Sequence, residues 1–435
     1  MLLFRANIAH FPHATVNFGD DIQVIQDGGL VVEGGKIVAI GDYAQMRRTY
    51  PDAELNDHSG CWILPGLIDS HLHYPQTQSI ASYGDQLLSW LENYTFPTEM
   101  QFSDLSHAQK VASVFIQQLV KNGTTTGLVF STVHKEACDA LFTAASQLDM
   151  ALIAGKVCMD RNCPEELRDC PTSAQKDSAA LIDRWHNQGR NRYAITPRFA
   201  PTSTEAQMAS LGELAQQYQD VYIQTHLSEN VDEINWVKSL YPNATGYLDV
   251  YDQYHMVRER AVFGHCVHLT NDEWQRMADT GATVAFCPSS NLFLGSGLFD
   301  NAIAKQYKVP VALATDVGAG TSFSMFSTYG EAYKISQLNK QPICPLEGFY
   351  MMTQGAAIAH QWDDHIGNLN SGTDADFIIV SPRYCELTSL RIEEHASFSD
   401  MFFALSILGA QRAVKQTWIS GRCCYENKEN NHAMA

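Results

Sequence analysis

The chain has 435 residues, with 29 Lys and Arg residues against 48 Asp and Glu residues, and a formal net charge of −19. This acidity argues against binding to nucleic-acid backbones or anionic membranes, which requires clustered cations. With 45% hydrophobic and 18% charged residues, the composition is that of a folded globular protein, and wholesale disorder is excluded.

The cysteines and the first residues of the chain bear on its cellular compartment. Eleven cysteines are few for this length, and their odd number predicts free thiols in a reducing compartment. Residues 1–5 show no basic leader followed by an apolar core, and no apolar run approaches the ~20 residues that a membrane helix requires. We therefore expect a cytoplasmic protein.

The first part of the chain predicts a β-hairpin. Apolar runs at Leu30–Glu33 and Lys36–Ile40 flank the pair Gly34 and Gly35. Two adjacent glycines supply the positive φ angles that a tight two-residue turn requires. The pattern therefore predicts two antiparallel strands at this end.

The same strand pattern returns near the other end of the chain, at Asp376–Val380 and Val414–Ile419. We expect residues 1–65 and 369–425 to form one small composite β-domain, similar to a β-sandwich. Residues 426–435 are predicted to form a polar C-terminal tail.

Between these ends, over residues 66–368, short apolar runs alternate with helical stretches. One helix is well marked, because apolar residues recur at spacings of three and four from Leu105 to Leu119 and the pattern stops at Asn122-Gly123. Eight βα units that close on themselves form a (β/α)8 barrel of the TIM type, so we predict an α/β fold. The eight predicted strands are Leu67–His71, Thr125–Ser131, Ala151–Cys158, Tyr193–Thr196, Tyr222–His226, Ala261–His265, Thr283–Cys287 and Val311–Asp316.

The first predicted barrel strand leads into a His-x-His pair, His71 and His73. Alternation along a strand places both imidazoles on the same side, where they could bind one ion. Taken alone the pair is a weak signal, since two ordinary histidines among sixteen would look the same.

Three further residues of types that bind metals lie at the ends of predicted strands. His226 ends the fifth strand, His265 ends the sixth and Asp316 ends the eighth. The C-terminal ends of barrel strands converge on one mouth, so these residues become neighbours there. Imidazoles with a carboxylate suit zinc or ferrous iron. The alternative for His226 and Asp316 is a buried, hydrogen-bonded structural role.

Glu229 follows His226 by three residues, just past the end of a strand. This position beside a metal is that of a general acid/base for a metal-activated water. The alternative is a solvated glutamate in the first turn of a helix. His265 is either a further ligand or a group that orients the attacking water, and the sequence leaves both roles open.

Six segments spread along the chain resemble the amidohydrolase superfamily of metal-dependent (β/α)8 hydrolases. They are Pro65–Gln76, Thr196–Thr202, Thr225–Asn230, Gly264–Cys266, Cys287–Leu292 and Thr315–Gly320. The resemblance implies the barrel, the composite β-domain made from both chain ends, and a homodimer.

The resemblance also implies roles for single residues. His71, His73, His226 and Asp316 would hold one divalent ion per subunit, zinc or iron. Binuclear relatives carry a bridging lysine on the fourth strand, whereas here that strand leads to Arg198, which favours a single-metal site. The residues expected to act in catalysis are Glu229, His265 and Asp316.

By the same resemblance, the expected reaction is the hydrolytic deamination of a purine base, guanine, in purine catabolism. Arg198 offers a fork of donors to the O6 and N7 acceptors, unless it forms a surface salt bridge. Gln76 could bind an edge of the base that presents both hydrogen-bond donors and acceptors, and Phe199 could stack on the base. The residues expected to bind substrate are His73, Gln76, Arg198, Phe199, His226, Glu229 and Asp316. The alternatives are another heterocycle (cytosine, an adenine derivative or a triazine) and an inactive barrel that serves as a scaffold.

Overall fold

The computed structural model describes residues 1–84, 86–393, 396–409 and 412–428, and it shows an α/β fold built on two sheets. The strands are β1 (Leu2–His10), β2 (Gln23–Glu33), β3 (Lys36–Asp42), β4 (Glu54–Pro65), β5 (Leu67–His73), β6 (Thr124–Phe130), β7 (Ala151–Gly155), β8 (Val157–Cys158), β9 (Asn191–Pro197), β10 (Tyr222–Leu227), β11 (Ala261–His265), β12 (Thr283–Phe286), β13 (Val311–Leu313), β14 (Phe377–Val380), β15 (Val414–Ile419) and β16 (Arg422–Glu426). The α-helices are α1 (Phe18–Asp21), α2 (Tyr43–Thr49), α3 (Leu87–Trp90), α4 (Phe96–Met100), α5 (Leu105–Lys121), α6 (Lys135–Gln147), α7 (Pro171–Trp185), α8 (Glu205–Gln217), α9 (Val231–Leu240), α10 (Tyr247–Asp252), α11 (Asn271–Thr280), α12 (Pro288–Phe293), α13 (Asn301–Tyr307), α14 (Met325–Leu338), α15 (Pro345–Met351), α16 (Gln354–Ala359), α17 (Glu386–Arg391) and α18 (Phe398–Leu408).

The larger sheet is a nearly closed parallel barrel. Its strands follow the order β5-β6-β7-β9-β10-β11-β12-β13, and β13 lies beside β5. Each of the eight predicted runs overlaps a barrel strand, so the predicted fold class is confirmed. The third run is divided at Lys156 into β7 and β8, which both pair with β9. The predicted helix is α5, and it ends at Asn122, before Gly123 with its φ of +84°.

Alternating side chains on the barrel strands pack in two directions. Ile68, Leu128 and Ile153 belong to an apolar cluster contributed by several barrel strands. Leu67 and Val129, which are the chain neighbours of Ile68 and Leu128, instead join the large cluster formed with the surrounding helices. Burial on both faces leaves the strand ends as the place where polar side chains can meet in a pocket.

The smaller sheet is made from both ends of the chain, in the order β16-β15-β14-β4-β1-β2-β3. The predicted hairpin joins β2 to β3: Glu33 pairs with Lys36 across Gly34 and Gly35, whose φ angles are +58° and +79°. Glu426, the first residue of the predicted tail, is the last residue of β16. Residues 429–435 of that tail lie outside the described residues.

The segment that follows the barrel contributes helices as well as strands. Phe402 on α18 packs against Tyr329 on α14, with ring centroids 5.4 Å apart.

We propose the division predicted above, with residues 1–65 and 369–425 as one domain and residues 66–368 as the other. None of the helices in the described ranges is long and apolar enough to cross a membrane.

Candidate active site

The predicted metal-binding residues meet at the C-terminal mouth of the barrel. His71 and His73 lie on β5, His226 lies on β10 and His265 ends β11. Asp316 follows β13. All but His226, which is half-buried, are buried. The barrel therefore brings together side chains that are up to 245 positions apart in the sequence, from residue 71 to residue 316.

The ligand atoms of the four residues predicted to bind metal lie close together. His73 Nε2 is 3.2 Å from His226 Nε2. Asp316 Oδ1 is 3.5 Å from His71 Nε2 and 3.4 Å from His73 Nε2. The three imidazoles form one of two groups of candidate ligand atoms that lie within 4.8 Å of one another.

The electrostatics of this cluster favour neutral imidazoles beside an ionised carboxylate. Burial lowers the pKa of His71, takes that of His73 down to about 3, and holds that of His226 well below its usual range. For Asp316, burial acts to raise the pKa, but the nearby imidazoles of His71 and His73 outweigh it and hold the pKa well below its usual range. These are the protonation states in which a divalent ion is bound.

Unpaired nitrogens also fit a metal ion at this place. His71 Nε2 and His73 Nδ1 are buried and have no hydrogen-bond partner in the described part of the chain. His226 Nδ1 donates to the carbonyl oxygen of Arg198 at 2.6 Å, which leaves the lone pair of Nε2 facing the cluster. The donor set of three imidazoles and one carboxylate therefore fits a divalent cation such as zinc.

Glu229 is buried beside His265. Its Oε2 lies 3.4 Å from His265 Nε2, and its Oε1 accepts a hydrogen bond from Ser296 Oγ at 2.9 Å. Burial, together with the negative charge of Asp316, raises the pKa of Glu229 to about 8. Glu229 can therefore hold a proton near neutral pH and release it to a bound molecule.

His265 is held in one orientation by Asn291. His265 Nδ1 donates to Asn291 Oδ1 at 2.9 Å, so Nε2 faces the carboxylates of Glu229 and Asp316. The distance from Nε2 to Asp316 Oδ2 is 3.8 Å. This arrangement suits a group that orients a water molecule between two carboxylates.

Several residues of the site have backbone conformations that are rare for residues other than glycine. The φ angles of Ser228, His265, Cys266 and Asp316 are +49°, +69°, +53° and +52°. All four residues lie at or just past the ends of barrel strands. Such conformations persist where the surrounding structure holds them, and they concentrate at functional sites.

A cavity adjoins the cluster. The substrate-binding residues predicted from the sequence line it, namely His73, Gln76, Arg198, Phe199, His226, Glu229 and Asp316. Arg198 is only 2% exposed and pairs with the buried Glu99, so it does not form a surface salt bridge.

Comparison with known proteins agrees with this geometry. The profile of the Amidohydrolase family matches residues 62–424. The chain belongs to the amidohydrolase family. Residues 28–53 also match a bacterial imidazolonepropionase-like composite domain. The resemblance seen in the sequence is thereby confirmed.

Individual members of the amidohydrolase family are similar over nearly the whole chain. Guanine deaminase of Escherichia coli strain K12 is 48% identical over 406 residues, which cover 93% of this chain and 92% of that protein. The solved structure of E. coli guanine deaminase has a TM-score of 0.96 at 45% identity, covering 98% of this chain and 100% of that chain. Guanine deaminase from C. acetobutylicum, solved with guanine in its active site, has a TM-score of 0.89 at 28% identity, with coverage of 98% and 100%.

Cys287 belongs to the amidohydrolase site, although it was not among the predicted ligands. Together with His71, His265 and Asp316 it forms the second group of candidate ligand atoms. Burial and the charge of Asp316 raise the pKa of the Cys287 thiol well above its usual range, and Sγ donates to the carbonyl oxygen of Ala285 at 3.4 Å. Because a metal binds the thiolate, the protonated thiol favours the histidine and aspartate set.

Two carboxylates behind the amidohydrolase site were not predicted either. Asp69 accepts from the backbone nitrogen of Thr315 at 3.0 Å and so ties β5 to the loop that carries Asp316. Glu233 accepts from the backbone nitrogen of Glu229 at 2.9 Å. A signal for Glu233 was present, since a residue at the third position of α9 closes a capping box with Asn230.

The helical segment that covers the cavity carries no motif that marks it in the sequence. Leu87 and Trp90 of α3, together with Leu91, line the cavity. The chain continues through a π-helical turn, Leu91–Thr95, into α4. Lys156, between β7 and β8, pairs with Asp169 at 2.5 Å and does not line the cavity.

Proposed function

We propose that the chain catalyses the hydrolytic deamination of guanine to xanthine and ammonia. The observation that carries this proposal is a single cavity shared by a cluster of metal donors, by Glu229 and by the polar pair Arg198 and Gln76. Guanine deaminases that match nearly the full length of the chain support the same reaction. The relative solved with guanine in its active site supports the substrate.

We assign the metal ligands to His71, His73, His226 and Asp316, with one zinc or ferrous ion per subunit. The unpaired imidazole nitrogens and the ionised carboxylate support this assignment. When bound, such an ion lowers the pKa of a water molecule toward ~7 and stabilises negative charge that develops on the reacting group.

The residues around the ion would move the protons. The ionised Asp316 accepts a proton from the water whose oxygen adds to C2 of guanine. Glu229 gives a proton to the ring nitrogen N3, since the addition pushes electron density onto that atom. His265 orients the water through Nε2. The amino nitrogen on the tetrahedral C2 then takes up the proton held by Asp316 and leaves as ammonia. The C2 hydroxyl returns a proton to Glu229 as the carbonyl of xanthine forms.

The base would be recognised by residues of the cavity that are not metal ligands. Arg198 carries only donors, which suits the O6 and N7 acceptors of guanine. Gln76 carries both donors and an acceptor. Phe199 and Trp90 provide aromatic surface in the same cavity, on which a flat base can stack.

The proposed reaction can be tested by incubating the purified, metal-loaded protein with guanine, adenine, adenosine, cytosine and a triazine. We expect ammonia and xanthine from guanine and little product from the other compounds. The Glu229→Gln variant, purified in the same way, measures the background activity that enzymes of the expression host contribute. Turnover of adenosine without turnover of guanine would contradict the proposal, and a protein inactive on every base would favour the scaffold alternative.

Replacing Arg198 with Ala should weaken the binding of guanine and lower the stability of the protein. Arg198→Ala removes charged hydrogen bonds, each contributing ~1.5–3 kcal/mol, so KM for guanine is expected to rise at least about tenfold. The change also leaves Glu99 buried without its cation, which should lower the free energy of unfolding by about 3–5 kcal/mol. Steady-state kinetics and chemical denaturation measure the two effects.

The control for this substitution is Arg184→Ala. Arg184 is 60% exposed and pairs with Asp139 away from the cavity. Its loss should leave KM unchanged and alter stability by less than about 1 kcal/mol. An Arg198→Ala enzyme with wild-type KM would remove Arg198 from the binding site.

Three further expectations remain predictions. Assembly as a homodimer and a role in purine catabolism come from the family resemblance, and a cytoplasmic location comes from the composition of the sequence.

A further inference from the structure

Glu99 is a fully buried carboxylate that touches two residues of the substrate cavity. Its oxygens accept from Arg198 Nη1 at 2.8 and 2.9 Å, and its Oε1 also accepts from Gln76 Nε2 at 3.3 Å. Its exposed fraction is 0%, against 2% for Arg198 and 3% for Gln76. The side chain of Glu99 does not itself line the cavity. Glu99 is therefore placed to act through these two neighbours.

The contact with Arg198 explains how a guanidinium can be held in a buried wall. A buried cation without a counter-charge is strongly destabilising, and Glu99 supplies that charge. Only Nη1 of the guanidinium is bound to Glu99. The Nε and Nη2 donors of the guanidinium have no partner among the hydrogen bonds of the described residues, so they remain available for a bound base.

The contact with Gln76 decides which way its amide group turns. An ionised Glu99 can only accept hydrogen bonds, so the amide nitrogen of Gln76 must face it. The amide oxygen then accepts from the backbone nitrogen of Gly318 at 3.4 Å. Glu99 and Gly318 together fix the donor and the acceptor that Gln76 offers to the cavity.

The helix that carries Glu99 contacts Arg198 a second time. Phe96 lies three residues earlier on α4, and its ring centroid is 5.7 Å from Arg198 Cζ. Residues at this spacing share one face of a helix. One helical face thus supplies both the counter-charge and the aromatic contact that hold the guanidinium.

We propose that Glu99 is a positioning residue that sets the purine specificity of the cavity. By holding the guanidinium of Arg198 and the amide of Gln76 in fixed orientations, it makes the cavity select bases with an oxygen at C6 beside N7. This inference rests on the proposed function, because it assumes that the cavity binds a purine.

The test compares hypoxanthine, which keeps the C6 oxygen and N7, with purine, which lacks that oxygen. Neither compound carries the 2-amino group, so direct calorimetric binding to the metal-loaded enzyme can be measured without turnover. We expect wild-type enzyme to bind hypoxanthine at least about tenfold more tightly than purine, since one good polar contact is worth about that factor. In Glu99→Gln this preference should fall at least about threefold, and KM for guanine should rise by more than kcat falls.

Glu347→Gln is the matched control. Glu347 is also a buried carboxylate paired with a cation, Lys305 at 2.6 Å, but it lies on α15 and outside the cavity. Its substitution should lower the melting temperature and leave the preference for hypoxanthine unchanged. If Glu99→Gln fails to fold, Glu99→Asp keeps the charge, withdraws it by one methylene group, and should reduce the preference in the same direction.

Two results would overturn the inference. One is a folded variant at position 99 that keeps the wild-type preference, and the other is a wild-type enzyme that does not favour hypoxanthine. Failure of the proposed function is seen separately, as an absence of ammonia release from guanine, because the binding measurement needs no reaction.

Discussion

Replacing Glu229 with Gln should lower kcat for guanine by about 10²–10⁴-fold, the range that a positioned general acid/base contributes, and leave the metal content at the wild-type level. The amide has no acidic proton to give to N3. It keeps the size of the carboxylate and can still accept the hydrogen bond from Ser296, so the cavity should retain its shape. Steady-state kinetics and elemental analysis of the same sample measure both quantities.

The control for this substitution is Glu213→Gln, on the exposed face of α8. It makes the same chemical change outside the cavity, and its kcat should equal that of the wild type. Loss of metal from Glu229→Gln would instead identify Glu229 as a ligand. Wild-type kcat in this variant would exclude it from proton transfer.

Replacing His226 with Ala should remove the metal and, with it, nearly all activity. His226 Nε2 is 3.2 Å from His73 Nε2, and its Nδ1 is held by the Arg198 carbonyl, so Nε2 faces the other proposed ligands. Losing one of the four proposed ligands should weaken metal binding greatly. We expect most of the metal to be lost on gel filtration and kcat/KM to fall by at least about 10³-fold, which elemental analysis and kinetics would show.

His365→Ala is the control for this change, because it also removes an imidazole but from a half-exposed position beside Asp374. Its metal content and kcat/KM should match those of the wild type. Partial recovery of kcat/KM in His226→Ala on addition of excess zinc would show that the variant still binds the metal, but more weakly. Full metal occupancy in that variant would show that His226 is not a ligand.

The barrel and the mouth at which the site lies were predictable because their signals are local. Buried parallel strands are short apolar runs, and helices repeat apolar residues every three to four positions, as in α5. His71 and His73 alternate along one such strand, while His226 and His265 end two others. Since parallel barrel strands converge at their C-terminal ends, these positions led to the cluster without knowledge of any contact.

Apolar patterns were enough to locate the eight barrel strands, helix α5 and the polar residues at the strand ends, because burial imposes a regular pattern on neighbouring residues. The buried partners that hold these polar residues could be found only in the folded structure. Glu99 meets Arg198 across 99 positions, and Asp69 meets Thr315 across 246. Such pairs leave no periodic trace, since their energy depends on three-dimensional proximity and on exclusion of water. The same exclusion makes the imidazoles neutral and raises the pKa of Glu229, which residue types alone do not determine.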